Sequence, residues 1–410
     1  MASIGMIKIG GRDRITNIFE FKSAVMFSLK TVCKVNEVFN FQDNQWEVEV
    51  RENHNYIVAR SRFELSIDNI LKRGLELCQQ ALDLLSITRK GEMQIEAPGD
   101  EHIVLFTETN RIILREVSIS NLGIGVDSSY EIIDKDGNIV SKPPPPQINW
   151  IPAFRFYRLS QGSNDLFEAY RNLFLGLEAL LNQICPKTVK EGEKQWLKRA
   201  LLLVGGNIQL SELMPEGNNN AVEYFLKTQY DAIRCKLFHA KGDRAILPHQ
   251  DLNPIEVSGA YDSLLSLWRK IAVIYFNIPG GGGVITNQGF KSFMNEAFSD
   301  GFTFVASNDK TPPNEKDNEI NPLKKDKYIY KNTDYKNNLK GGRVLLTGSL
   351  EEPELSKVKV IHRIGVVIKD VLFSIKYIQD GLYVNGVDKF ESYQTVRLIN
   401  TSSPRTVFST

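Results

Sequence analysis

Long apolar runs and paired cysteines are both missing from this sequence. No stretch approaches the roughly 18 to 20 consecutive apolar residues that a membrane-spanning helix needs, and the first residues, MASIGMIKIGGRDR, lack the apolar core of a secretory signal. The chain has four cysteines in 410 residues. They are far apart in the sequence, which argues against a disulfide framework or a zinc site. These absences predict a cytoplasmic protein with free thiols and no membrane association.

The sequence also lacks a strong net charge and the common cofactor motifs. Its 50 Lys and Arg residues balance 49 Asp and Glu residues, so no overall positive field marks it as a nucleic-acid binder, although a local basic patch is still compatible with this balance. It contains no Walker A loop, no Rossmann glycine fingerprint, no HExxH and no CxxC pair. We therefore expect neither a cofactor nor a metal site.

The hydrophobic pattern divides the chain near a run of four prolines, Pro143 to Pro146. Such a run forms neither helix nor central strand and favours an extended spacer. Before it, alternating apolar residues at 45–52 and 56–63 predict a β-hairpin, and an apolar stripe over 66–85 predicts a helix. We interpret residues 1–147 as an N-terminal mixed α/β domain.

After the prolines the pattern becomes helical and then strand-like. Four amphipathic segments (165–184, 193–204, 219–243 and 253–276) predict a central antiparallel four-helix bundle within residues 148–285. Residues 286–340 are expected to form a connector with a flexible polar linker, because much of this stretch is rich in Lys, Asp, Asn and Pro. Residues 341–410 are expected to form a small β-rich domain. The predicted fold class is thus multidomain α+β.

The third helical segment carries the candidate chemistry. Arg234 and His239 lie near its end in an R-x-x-x-x-H pattern, which combines a permanent cation with a side chain that titrates near neutrality. Lys236, Lys241 and Arg244 add positive charge suited to phosphodiesters. On an ideal helix Arg234 and His239 are about 140° apart, so they converge only at a frayed helix end or in a cleft that wraps it. The alternative is that these cations stabilise the exposed carbonyls of a helix C-terminus.

A helical domain that ends its third helix with R-x-x-x-x-H resembles the HEPN (higher eukaryotes and prokaryotes nucleotide-binding) superfamily. The resemblance rests on two stretches of sequence, FRFYRLSQGSNDLFEAYRNLFLGLEALL at 154–181 and IRCKLFHAKGD at 233–243. These segments are similar to HEPN proteins of the MauJ and ApeA-like groups. The residue after the motif arginine is often Asn or Asp in this superfamily, whereas it is Cys235 here.

The resemblance implies a metal-independent endoribonuclease of bacterial defence or toxin type, with RNA as substrate and with flanking domains that sense or regulate. In that interpretation Arg234 and His239 are catalytic, and Lys236, Lys241 and Arg244 bind the substrate. HEPN domains usually work as dimers, so the resemblance implies a homodimer or a higher homo-oligomer, and a regulatory protein or nucleotide signal is a further expected partner. The alternative is a non-catalytic HEPN scaffold that mediates dimerisation or binds RNA or a nucleotide.

Overall fold

The computed structural model describes most of the chain. The described residues are 1–13, 16, 18–42, 44–124, 131–140, 148–163, 165–214, 220–238, 254–278, 285–322, 325–339 and 342–398. They divide into two compact units. Unit 1 combines described residues of Met1–Gly123 with those of Ile285–Thr401, and unit 2 lies within Ile124–Val284. The first unit is therefore built from both ends of the chain.

The strands of the described residues are, in chain order, β1 (Ala2–Ile4), β2 (Ile7–Gly10), β3 (Ser23–Ser28), β4 (Glu37–Phe41), β5 (Trp46–Val50), β6 (Tyr56–Ser61), β7 (His102–Glu108), β8 (Arg111–Leu122), β9 (Ile132–Ile133), β10 (Ile139–Val140), β11 (Thr303–Ser307), β12 (Lys327–Ile329), β13 (Asn332–Lys336), β14 (Arg343–Glu351), β15 (Ile361–Ile368), β16 (Val371–Tyr383) and β17 (Lys389–Leu398). The α-helices are α1 (Ile67–Ile87), α2 (Pro152–Gly162), α3 (Leu166–Ile184), α4 (Glu193–Gly205), α5 (Ala221–Phe225), α6 (Cys235–Phe238), α7 (Pro254–Phe276) and α8 (Asn287–Phe298), and a π-helix covers Leu226–Arg234 between α5 and α6. None of the described helices has both the length and the hydropathy needed to cross a lipid bilayer.

A nine-stranded sheet joins the two ends of the chain in unit 1. Its strand order is β13-β14-β17-β8-β7-β3-β6-β5-β4. The ends meet where β17 pairs in parallel with β8, from Lys389 opposite Ile113 to Leu398 opposite Leu122. The other pairings in this sheet are antiparallel. Strands from the N-terminal and C-terminal parts of the chain therefore belong to one hydrogen-bonded sheet.

A six-stranded sheet also combines strands from the two ends of the chain. Its order is β12-β11-β15-β16-β1-β2, and Ser3 of β1 pairs with Tyr383 of β16. The predicted fold class, with a separate N-terminal α/β domain and a separate C-terminal β-rich domain, is wrong for this reason. Strand patterns along the sequence report local propensity, whereas these pairings join residues hundreds of positions apart.

Helix α1 covers one face of the nine-stranded sheet. Its apolar stripe includes Leu71, Leu75 and Leu82, which share a buried core with Val25 of β3 and Val48 of β5. This stripe repeats every three or four residues, as the sequence predicts, because only one face of the helix meets the sheet. The predicted helix at 66–85 and the predicted β5–β6 hairpin are both confirmed.

A buried arginine organises the polar stretch within residues 286–340. Arg363 of β15 is fully buried, and its Nε donates to the carbonyl oxygen of Thr311 at 2.9 Å. Its Nη2 and Nη1 atoms lie 3.6 Å from carboxylate oxygens of Asp309 and Asp317, respectively. Strands β11, β12 and β13 also fall within this range. Polar residues of the stretch that was expected to form a connector thus contact the buried guanidinium of Arg363.

Apart from the paired strands β9 and β10, the regular elements in the described part of unit 2 are helical, but the predicted antiparallel four-helix bundle is wrong. Helix α2 is an additional helix that packs on α3, and its Tyr157 stacks on Trp268 of α7 with ring centroids 4.3 Å apart. The expected third helix is divided into α5, the π-helix and α6 over its described part. A periodic apolar stripe does not reveal this change, because α- and π-helices both place residues three to five positions apart on one side.

Candidate functional site

The π-helix places the candidate side chains of unit 2. Asn220 caps α5, since its Oδ1 accepts a hydrogen bond from the backbone N–H of Glu223 at 3.1 Å. The chain then changes from α to π geometry over Leu226–Arg234. Extended π-helices are rare, and short π segments inside α-helices are frequently found at functional sites. The π-helix ends at Arg234, the first residue of the predicted R-x-x-x-x-H motif.

Arg234 connects three helical segments through two carboxylates. Its Nη2 donates to Oε1 of Glu178 on α3 at 3.1 Å and also to Oε1 of Glu193, the first residue of α4. The Tyr230 hydroxyl, four residues earlier on the π-helix, donates to the other oxygen of Glu193 at 3.3 Å. We name Glu178, Glu193, Tyr230 and Arg234 the ion-pair cluster.

Aromatic rings surround the guanidinium of Arg234. Its central carbon lies 4.8 Å from the ring centroid of Phe238, 5.2 Å from that of Tyr230 and 6.0 Å from that of Phe174. These distances are within the range of cation–π attraction. The residue is only 7% exposed, and its Nε finds no hydrogen-bond acceptor among the described residues. Arg234 is therefore a buried cation whose Nε donor is unused among the described residues.

Burial sets the protonation of the cluster. It raises the pKa of Glu178 to about 7, against the lowering effect of Arg234, and the negative charge of Glu193 raises this pKa further. Burial alone would lower the pKa of Arg234, but Glu178 and Glu193 bring it above its ordinary value. Arg234 therefore stays charged, while Glu178 exchanges its proton near neutral pH. A carboxyl of this kind is suited to proton transfer.

The other predicted site residues have different positions. Lys236 is exposed and lines a cavity beside the π-helix. His239, Lys241 and Arg244 lie outside the described residues. Of the predicted site residues, the structure thus describes Arg234 and Lys236. The charged groups that it brings to Arg234 are carboxylates and not further cations.

Sequence reasoning missed Glu178 and Glu193 as partners of Arg234. A signal was present for Glu178, because it interrupts the apolar run LFLGLEALL of α3. A charged residue within such a run is rarely buried without a partner. Glu193 gave a weaker signal, since an acidic residue in the first turn of a helix is already explained by the helix dipole.

Comparison of this chain with protein families, with curated proteins and with solved structures finds no match. Within the described residues, no three His, Cys, Asp or Glu side chains converge as a metal-binding group. The four cysteines are free thiols. The functional interpretation therefore depends on the chemistry of the cluster and on the sequence resemblance.

Proposed function

We propose that this protein is a HEPN-like endoribonuclease that cleaves RNA without a metal ion, at a site that includes Arg234 and His239. The observation that supports the proposal is the position of Arg234. This residue ends a π-helix, keeps its positive charge beside a carboxyl with a pKa of about 7, and lies five residues before His239. A guanidinium is well suited to hold a phosphodiester through two parallel hydrogen bonds.

The proposed reaction is an internal transesterification of RNA. The ribose 2′-oxygen attacks the adjacent phosphorus, the bond from phosphorus to the 5′-oxygen breaks, and a 2′,3′-cyclic phosphate and a free 5′-hydroxyl result. His239 removes the proton of the 2′-hydroxyl or supplies the proton that the leaving 5′-oxygen needs. In a homodimer, the second copy supplies the complementary acid or base. Arg234 stabilises the charge that develops on the phosphate oxygens.

Glu178 gives this proposal a protonation-dependent element. When Glu178 is ionised, Arg234 is shared between two carboxylates, which compete with a phosphate for its donors. Protonation of Glu178 leaves Glu193 as the one negatively charged partner in the cluster. Because the pKa of Glu178 is about 7, this change occurs near neutral pH. A substrate phosphate then takes the place of the lost charge.

The test is cleavage of a fluorescently labelled single-stranded RNA by the purified full chain in EDTA. We expect a 2′,3′-cyclic phosphate product, loss of at least 100-fold in rate for His239→Ala, and no cleavage of the matching DNA. Lys227→Ala, an exposed lysine on the π-helix, is the matched control and should keep the rate. Cleavage that stops in EDTA, or that survives in His239→Ala, contradicts the proposal.

A second function is favoured by the burial of Arg234. Two carboxylates and three aromatic rings surround this guanidinium, an arrangement that also serves to hold α3, α4 and the π-helix together. In that case the helical unit is a non-catalytic scaffold that mediates dimerisation or binds RNA or a nucleotide. The scaffold predicts RNA retention in a filter-binding assay without cleavage, or a dimer in light scattering, both unchanged in His239→Ala.

A further inference from the structure

A cavity of 430 Å³ lies in unit 2 on another side of the π-helix from the ion-pair cluster. Residues of α4, α5, the π-helix, α6 and α7 line it, and its walls are mainly apolar. The apolar lining includes Leu201, Val222, Phe225, Ile233, Val257 and Leu267. Its volume is within the range of pockets that hold metabolite-sized molecules.

Most polar side chains of the cavity wall are already hydrogen-bonded. Gln229 donates from Nε2 to the carbonyl oxygen of Ala260 at 2.9 Å and accepts from the Tyr170 hydroxyl at 2.8 Å. Thr228 donates to a backbone carbonyl at 2.8 Å and Ser263 to another at 3.1 Å. A ligand in the central part of the cavity therefore gains few hydrogen bonds from the polar groups of the wall. The wall favours an apolar body.

The charged residues of the wall differ in their partners. Glu256 already interacts with another group of the chain. Lys236 is exposed, lines the cavity and has no ion-pair partner among the described residues. An ammonium group at the edge of an apolar cavity attracts a ligand that carries a negative charge at one end.

We propose that this cavity binds a small amphipathic anion, with its apolar body among Leu201, Phe225 and Ile233 and its acidic group at the Lys236 ammonium. The proposal does not depend on RNA cleavage, because Gln229 and Ile233 line the cavity whereas the ion-pair cluster uses Tyr230 and Arg234. It assigns Lys236, which the resemblance assigned to RNA, to the cavity ligand instead. The protein therefore has a ligand site on the π-helix in addition to the site of the proposed nuclease.

Gly259 of α7 offers a direct way to fill the cavity. It lines the cavity, and a Cβ atom added to it meets no atom within 4 Å. Gly259→Leu therefore places a side chain in open space, and it also replaces a poor helix former by a good one. The variant should fold and melt no lower than the unchanged protein, while it occupies the space of the ligand.

The experiment is a fluorescence titration of the full chain with 8-anilinonaphthalene-1-sulfonate, which joins an aromatic body to a sulfonate. We expect saturable binding, an affinity about tenfold lower in Lys236→Met, and loss of binding in Gly259→Leu. Octanoate should displace the probe at a concentration at least tenfold lower than octan-1-ol, because only octanoate pairs with Lys236.

Two matched variants serve as controls. Lys227→Met removes an exposed lysine that lies on the π-helix, whereas Lys236 lies on α6, and Gly162→Leu fills open space at the end of α2; neither Lys227 nor Gly162 lines the cavity. Both should bind the probe like the unchanged protein. Absence of saturable binding, binding that survives in a folded Gly259→Leu variant, or equal loss in Lys227→Met overturns the proposal.

Discussion

Arg234 and Glu178 are joined by a hydrogen bond of 3.1 Å, yet the pKa of Glu178 is raised to about 7 instead of lowered. An exposed ion pair would lower the pKa of its carboxyl. Here burial opposes ionisation, and Glu193 shares the same guanidinium while it repels a second negative charge. One cation thus serves two carboxylates, and Glu178 is the one that yields its charge near neutral pH.

This relationship predicts how the stability of unit 2 depends on pH. A carboxyl whose pKa is higher in the folded chain binds more protons there than in the unfolded chain between about pH 4.5 and 7. Its contribution to stability is therefore fully present below pH 4.5 and is lost as the pH rises through 7. We therefore compare the free energy of unfolding of Glu178→Gln with that of the unchanged protein. As the pH rises from 4.5 to 8, this difference should shift in favour of the variant by on the order of 2 to 3 kcal/mol.

Urea unfolding followed by circular dichroism at pH 4.5, 6, 7 and 8 measures this difference. Glu168→Gln, which alters an exposed carboxyl on the same helix, is the matched control and should show no comparable trend. A constant difference between Glu178→Gln and the unchanged protein over this pH range would contradict the prediction.

Removal of Arg234 should reveal the repulsion between its two partners. Arg234→Met leaves Glu178 and Glu193 close together without a cation, and loss of one partner of a buried ion pair costs about 3 to 5 kcal/mol. The double variant Arg234→Met/Glu178→Gln should recover about half of this loss, because one of the two negative charges is gone. A double-mutant cycle in urea at pH 8 measures the coupling. If the two effects simply add, the carboxylates do not interact through Arg234.

The sequence predicted the local elements of this protein better than their arrangement. Helix α3 shows why, since Asp165 caps it, with its side chain accepting from the N–H of Glu168 at 2.8 Å, and its apolar stripe is buried. Both signals lie within a few residues of each other. The parallel pairing of β17 with β8 has no such local signal, because either strand could pair with many others. Composition therefore indicated strands at both ends of the chain without showing that they form one sheet.

The sequence likewise predicted one part of the candidate site and not the other. The sequence singled out Arg234 because a cation before a histidine at fixed spacing is visible in one segment. It did not indicate the π-helix, which packs against α4 and α7, or the partners Glu178 and Glu193, which come from other helices. Ion pairs between helices depend on tertiary packing, which a single sequence does not specify.

Arg363 should be essential for the polar stretch between β11 and β12. Arg363→Met leaves Asp309, which is fully buried, without its cation and removes the hydrogen bonds to Thr311. We expect a loss of about 3 to 5 kcal/mol in the free energy of unfolding and faster tryptic cleavage at Lys310 and Lys316.

The matched control is Lys316→Met, an exposed cation in the same stretch. Urea unfolding and mass spectrometry of the tryptic fragments measure both quantities, with cleavage compared at Lys310, which all variants retain. Unchanged cleavage at Lys310 in Arg363→Met would show that the stretch is held by other contacts.

Gly74 should be required where α1 crosses the nine-stranded sheet. A Cβ atom at this position would lie 2.2 Å from Cγ1 of Val25, which is fully buried in β3. Replacement of a helical glycine by alanine usually stabilises by about 0.5 to 1 kcal/mol, whereas overpacking of a core costs about 1 to 3 kcal/mol. Because Val25 is fully buried and its Cγ1 would meet the new Cβ, we expect Gly74→Ala to lower the free energy of unfolding by about 1 kcal/mol or more. Gly259→Ala, on α7 at a position where an added Cβ meets open space, should raise the free energy of unfolding.

The second variant that tests this contact is Val25→Ala, alone and combined with Gly74→Ala. Val25→Ala removes the methyl group that the new Cβ would meet, although it leaves a small cavity of its own. The double variant should therefore be more stable than the sum of the two single changes predicts, by about 1 kcal/mol, and urea unfolding of all four proteins gives this coupling. Additive changes, or a Gly74→Ala protein as stable as the unchanged one, would show that α1 can move away from β3 at little cost. In that case the close contact between Gly74 and Val25 does not determine where the helix lies on the sheet.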